Sequence, residues 1–166
     1  MKRLFLKLLC ICLLAISLTG CNSHIDTVRN GVLDFDKSTT VGKAFDNYSY
    51  FKKTSWSEFE TKQGKIVVQF EGILDFDKLA SGFDKSIHDK WIYDKYINYK
   101  NTIEQTNPSI IVQFIINKDD TFNINYTGIS INDKNEPIGT YNINNIYNDE
   151  KVGAFIAALG MLDRIN

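Results

Sequence analysis

The run Ser109-Ile110-Ile111-Val112-Gln113-Phe114-Ile115-Ile116-Asn117 is apolar at nearly every position and is followed by the polar triplet Lys118-Asp119-Asp120. A return segment, Thr121-Phe122-Asn123-Ile124-Asn125-Tyr126-Thr127-Gly128-Ile129-Ser130-Ile131, comes next. Side chains alternate between the two faces of a strand, so the first run offers apolar residues to both. That pattern predicts a central strand covered on both sides, and the triplet predicts the turn of a hairpin. The polar stretch Asp133 to Pro137 predicts a further turn.

Upstream, Ser55 to Thr61 reads as a strand, Lys62-Gln63-Gly64-Lys65 as its turn, and Ile66 to Leu74 as the return. In the return, Ile66, Val68, Phe70 and Leu74 share one face, with a gap at Gly72. Helices are expected around this pair of hairpins. Thr39 or Thr40 can cap a helix whose Val41, Ala44, Phe45 and Tyr48 recur at helical spacing. Asn148 or Asp149 can cap a C-terminal helix, with Glu150 in its positive first turn. There Val152, Phe155, Ile156, Leu159, Leu162 and Ile165 form one broad apolar face to pack on the sheet.

Residues Phe83 to Gln105 fit two patterns. Ile92, Tyr96, Tyr99 and Ile103 fall at helical spacing, while Trp91, Tyr93, Ile97 and Tyr99 alternate as in a strand. The helix is preferred, ending before Asn107-Pro108, because the residue before a proline disfavours helix. Val32-Leu33-Asp34-Phe35 fits neither pattern. The expected fold is therefore α+β: an antiparallel sheet of two hairpins, with an early short helix, a middle helix and a C-terminal helix packed on one face. One echo stands out: Gly31-Val32-Leu33-Asp34-Phe35-Asp36-Lys37 returns as Gly72-Ile73-Leu74-Asp75-Phe76-Asp77-Lys78, which raises an internal duplication.

The first twenty residues follow a different logic. Lys2, Arg3 and Lys7 put positive charge at the start, and Leu8 to Leu18 is apolar apart from Ser17. This core is shorter than the roughly 20 apolar residues of a spanning helix, and no A-x-A-like site of an ordinary secretory signal follows it. Instead comes Leu18-Thr19-Gly20-Cys21. Placed after a charged start and a short apolar core, these four residues resemble the lipobox of bacterial lipoproteins. The resemblance implies cleavage between Gly20 and Cys21, diacylglycerol on the Cys21 thiol, and N-acylation in many Gram-negatives. Two or more acyl chains make such attachment stable. Asn22, in the sorting position, implies the outer membrane where the cell has one. The chain then divides into a signal peptide (1–20), a lipidated tether (21–27) and a single α+β domain (28–166).

Composition narrows the activities. Cys10 and Cys12 lie in the signal and Cys21 carries lipid, so the mature chain keeps no thiol for a disulfide or a metal. Removing the signal also takes three basic residues from the 19 against 20 acidic ones. A mildly acidic surface without a basic run argues against nucleic acid and against docking on anionic lipid by charge. The remaining 146 residues suit one domain, rich enough in aromatics to build a core.

Candidate chemistry is sparse. Asp34, Asp36 and Ser38 begin like a calcium loop, but Thr39 stands where that loop needs glycine and Phe45 where it needs a bidentate glutamate. Only His24 and His88 remain for nucleophilic catalysis or zinc, and no Gly-x-Ser-x-Gly elbow accompanies them. Glu58, Glu60 and Glu71 sit on hairpin strands and read as one wet face rather than as a hydrolytic pair. No catalytic residue, metal or cofactor is expected beyond the covalent lipid on Cys21. Trp91, Tyr93, Tyr96 and Tyr99 form the best candidate interaction surface, although the same aromatics also suit a core.

Further residues resemble small envelope lipoproteins of unknown function in Proteobacteria: Val28-x-x-Gly31, Val41-Gly42-x-Ala44-Phe45-Asp46-Asn47-Tyr48, Trp56-x-x-Phe59 and Val67-Val68-x-Phe70. That resemblance spans about the first half of the mature chain and brings no activity. The expectation is an anchored, non-enzymatic protein whose domain binds an envelope protein as an assembly accessory or inhibitor. The alternatives are a peptidoglycan or glycan module using the aromatics near Trp91 and, last, an envelope hydrolase.

Overall fold

The computed structural model describes residues 23–81, 90–132, 134–139, 141–151 and 153–165. Residues 1–22, with Gly20, Cys21 and Asn22, and the segment holding His88 lie outside them. In chain order the elements are α1 (His24–Asn30), α2 (Val41–Asp46), β1 (Phe51–Glu60), β2 (Ile66–Leu74), α3 (Phe76–Ala80), α4 (Lys90–Thr106), β3 (Ser109–Ile116), β4 (Phe122–Ile131), β5 (Lys134–Pro137), α5 (Tyr141–Tyr147) and α6 (Ala154–Ile165). The class is α+β, and the sheet is antiparallel and open, in the order β1-β2-β3-β4-β5.

Both expected hairpins form, and they are joined along β2 and β3. Val68 lies opposite Phe114, Phe70 opposite Val112, and Gly72 opposite Ile110. These residues, with Leu74, Ile129 and Ile131, make the sheet side of a single core. The helix side comes from Val28, Val41, Phe45, Phe76, Leu79, Ile92, Tyr96, Ile103, Ile143, Ile146, Leu159 and Leu162. The gap at Gly72 is filled: a Cβ there would stand 2.6 Å from the Phe51 ring.

The other sheet face is more polar, yet β3 is buried on both sides over its first half as expected: Ser109 and Ile111 are buried there, like Ile110 and Val112 on the core side. Gln69 lies opposite Gln113 and Glu71 opposite Ile111. Gln113 Nε2 donates to Gln69 Oε1 at 2.9 Å, and Ser109 Oγ donates to Glu71 Oε1 at 2.7 Å. These polar pairs alternate with Val67 and Ile111, which are buried outside the main core cluster.

Four boundaries differ from the sequence reading. Residues 24 to 27, read as tether, are the first turn of α1, and the Ser23 side chain accepts from the Asp26 N–H as its N-cap. Polar side chains hid a seven-residue helix that buries little more than Val28. Residues 134–137, read as a turn, form edge strand β5, with Asn132 turning at φ 51°. Polar residues and a proline are tolerated there because one edge stays unpaired. Third, Asn148 and Asp149 do not cap the last helix. Asp149 is left-handed (φ 53°) and closes α5, while α6 begins only at Ala154; aspartate tolerates that conformation at a helix end. Within α6, Leu159 and Leu162 are buried but Ile156 is exposed. Fourth, β1 starts at Phe51, through an irregularity between Phe51 and Lys53.

The ambiguous middle segment is helical over Lys90–Thr106 and ends where Asn107 turns at φ 45°. The echoed heptapeptides fold differently. Gly31–Lys37 is a loop pinned by a Leu33–Asp36 bridge, whereas Gly72–Lys78 runs from β2 into α3.

Candidate functional site

A cleft of about 650 Å³ opens where the loop after α1 meets the β3–β4 turn. Its position follows from α1. At one end His24 Nδ1 lies 3.0 Å from Glu58 Oε1 near the end of β1. At the other, Gly31 approaches the first residue of β4, so that a Cβ would stand 2.3 Å from the Phe122 ring. Helix α1 thus crosses the turn end of the sheet from β1 to β4.

Beyond Gly31 the chain folds back on itself. Val41 N–H donates to Gly31 O at 2.9 Å, and Asp36 N–H donates to Leu33 O at 3.1 Å. The Asp36 carboxylate accepts from the Ser38 hydroxyl and N–H at 2.6 and 2.8 Å, which holds it below the usual carboxylate range. The resulting tight loop buries Leu33 and leaves Val32 41% and Phe35 51% exposed. Phe35 is steadied edge-on against Tyr147 at 5.1 Å.

The facing wall is the turn at Asn117–Thr121. Asn117 N–H donates to Thr121 O at 2.8 Å, and Asp119 accepts from the Thr121 hydroxyl at 2.7 Å, which lowers its pKa. Asp120, left-handed at φ 60°, lines the cleft. Among the described residues its carboxylate has no partner. Across from it, Asp34 is fully exposed and, among the described residues, meets Lys37 at 3.5 Å. The cleft is therefore an apolar floor of Phe122 and Ile124, two exposed apolar side chains and two carboxylates, of which Asp34 shares its charge with Lys37.

The aromatic candidates do not form one surface. At about 100° per residue, Trp91 and Tyr93 stand roughly 160° apart around α4. Trp91 is 54% exposed, Tyr96 is 4% exposed, and Tyr93 and Tyr99 are half-buried against the core. Two of the four serve in clasps that the sequence reading missed. Tyr96 O–H and Lys100 Nζ both donate to Asp77 Oδ1 of α3, the latter at 2.9 Å. Tyr99 O–H donates to Asp163 Oδ1 of α6 at 2.6 Å, and Lys95 also binds that carboxylate. The Tyr96 and Lys100 bonds hold Asp77 below its ordinary pKa; those of Lys95 and Tyr99 do the same for Asp163. Burial, then Asp77, raises the Tyr96 phenol. The i, i+4 spacing of Lys95 with Tyr99, and of Tyr96 with Lys100, was the available signal. A smaller groove of about 260 Å³ runs past Tyr93, Ile97 and this Asp77 clasp.

Alternation along paired strands puts Glu58 and Glu60 on one face and Glu71 on the other, which corrects their reading as one wet face. Asp75 caps α3 by accepting from Lys78 N–H at 3.0 Å. Among the described residues no group of three His, Cys, Asp or Glu is placed to hold a metal, and no helix is long and apolar enough to cross a membrane. Compared with protein-family models, curated proteins and solved structures, the chain has no match.

Proposed function

We propose that the chain is a lipid-anchored envelope protein, bearing its lipid on Cys21, whose α+β domain binds another protein and catalyses no reaction. The anchor rests on Leu18-Thr19-Gly20-Cys21 after its charged start and short apolar core. Binding rests on one observation: Val32 and Phe35 stand exposed beside the carboxylates of Asp34 and Asp120 at the 650 Å³ cleft. Exposed apolar side chains clustered beside polar groups are how contact surfaces differ from ordinary surface.

The glycan alternative draws on the groove beside Tyr93 and Tyr96, where aromatic rings neighbour Asp77. It is the weaker reading, because the Tyr96 hydroxyl, Asp77 and Lys100 already satisfy one another. The test is a photoreactive side chain at Phe35 or at Trp91 in intact cells, with metabolic labelling by an alkynyl palmitate. A protein adduct from Phe35, and a label lost in C21S, are the expected results. An unlabelled chain defeats the anchor. Absence of an adduct from Phe35, with retention of the purified protein on peptidoglycan, defeats protein binding in favour of the glycan reading.

A further inference from the structure

We infer that the cleft between Phe35 and Asp120 faces the bilayer that holds the anchor, and that its occupant is an apolar segment bearing lysine or arginine, presented at that surface by a second membrane-attached protein. The inference rests on the proposed lipid at Cys21. Helix α1 is capped by Ser23, so only Asn22 separates the lipid-bearing residue from folded structure. Two residues of extended chain reach at most about 7 Å. The domain therefore has no stalk, and whatever surrounds the start of α1 lies close to the membrane surface.

The register states what that is. His24 pairs with Glu58, close to the β1–β2 turn. Val67 lies opposite Ile115, and Ile116 opposite Phe122, so the β3–β4 turn is at the same end of the sheet. From that end α1 leads to Gly31 and into the cleft wall. The opposite end, with the Ile131–Lys134 turn, faces away.

Charge selects the occupant. Asp34 and Asp120 flank Val32 and Phe35; a cationic side chain can pair with Asp120 directly, or with the exposed Asp34 in competition with Lys37, while apolar neighbours cover Phe35 and Phe122. The same carboxylates are repelled by anionic headgroups, which disfavours insertion of Val32 and Phe35 into lipid. They also disfavour a second copy of this chain docking cleft to cleft.

The test uses the full-length lipidated chain in cells. A photoreactive residue replaces Phe35, and in a control chain it replaces Lys134 at the far end. The Phe35 adduct is expected on an apolar segment with a lysine or arginine, in a protein that is itself membrane-attached; Lys134 is expected to give none on that segment. Charge reversal at D34K with D120K is expected to lower the Phe35 adduct about tenfold, with unchanged thermal melting. A rigid helical spacer of about 20 residues between Asn22 and Ser23 would lift the domain roughly 30 Å, and is expected to lower the adduct at least about tenfold. An adduct unmoved by the spacer, an acidic or soluble partner segment, a lipid adduct, or a second copy of the chain each overturns the inference while leaving the palmitate result to judge the anchor separately. No adduct at all from Phe35, with Cys21 labelled, overturns both this inference and protein binding.

Discussion

Phe45 shows how much one side chain can hold. It is fully buried, with ring centroids 4.7 Å from Phe70 and 6.2 Å from both Trp56 and Phe114. Truncation to alanine removes a packed ring and leaves a cavity, so F45A should cost about 3–5 kcal/mol in urea unfolding. F45L, which keeps much of the volume, should cost clearly less. Tyr147 makes the opposite case. Its hydroxyl is buried without a hydrogen-bond partner among the described residues, and burial, then the Asp36 charge, pushes its pKa up. Y147F should leave stability unchanged or raise it by about 1 kcal/mol, since it deletes an unsatisfied group; a loss larger than that would show a partner for the hydroxyl. The aromatic candidates split by the same measure. Y96F breaks a bond to Asp77 made by a side chain that is nearly buried, and should cost about 1 kcal/mol. Trp91 is exposed, and W91A should stay within about 0.5 kcal/mol of the parent.

Helix α4 gains from being read as an element rather than as a string of aromatics. Only Ile92, Tyr96 and Ile103 are buried along its 17 residues, so its apolar stripe is thin. The Asp77 and Asp163 clasps bind it to α3 on one side and α6 on the other. Both carboxylates have folded pKa values below the ordinary 3.8. The unfolded chain therefore takes up protons first as pH falls; the stabilisation is present above about pH 5 and is lost as pH drops through the lowered folded values. Double replacement D77N with D163N should flatten the acid side of a plot of urea midpoint against pH, while the parent falls. An equal slope in both proteins would remove the clasps from the account. Legibility in the sequence follows the same division. The hairpins were readable because buried strand residues repeat every second position, and α2 was readable from Thr40, which caps it by accepting from Lys43 N–H. Helix α1 and strand β5 were not, because each buries too little for a periodic signal. The cleft was not legible either: Val32 and Phe35 belong to no period, and only the fold brings them opposite Asp120.

At the scale of the whole molecule, α1 is a structural member whose removal can be measured. It contributes fully buried Val28, and its Arg29 binds Asp46 at 2.6 Å while Asp46 also accepts from Trp56 Nε1 at 2.8 Å. Gly31 O then receives the Val41 N–H that starts α2. Deleting residues 23–30 uncovers Val28's neighbours, worth about 1.5–3 kcal/mol, and leaves Asp46 with the Trp56 Nε1 bond but without Arg29. The expected total loss is at least about 3 kcal/mol, a large part of the 5–15 kcal/mol that holds a typical domain. A chain beginning at Ser23 should instead keep the parent's urea midpoint, since on the proposed anchor maturation already removes residues 1–20. Trp56, half-buried against the core, and Trp91 on the surface allow the comparison to be read by fluorescence beside circular dichroism, and coincident transitions would establish that the sheet and its helices unfold together. If the chain lacking residues 23–30 kept the parent midpoint, α1 would be a tether after all, and the short distance from Cys21 to the folded domain would no longer fix which end of the sheet meets the membrane.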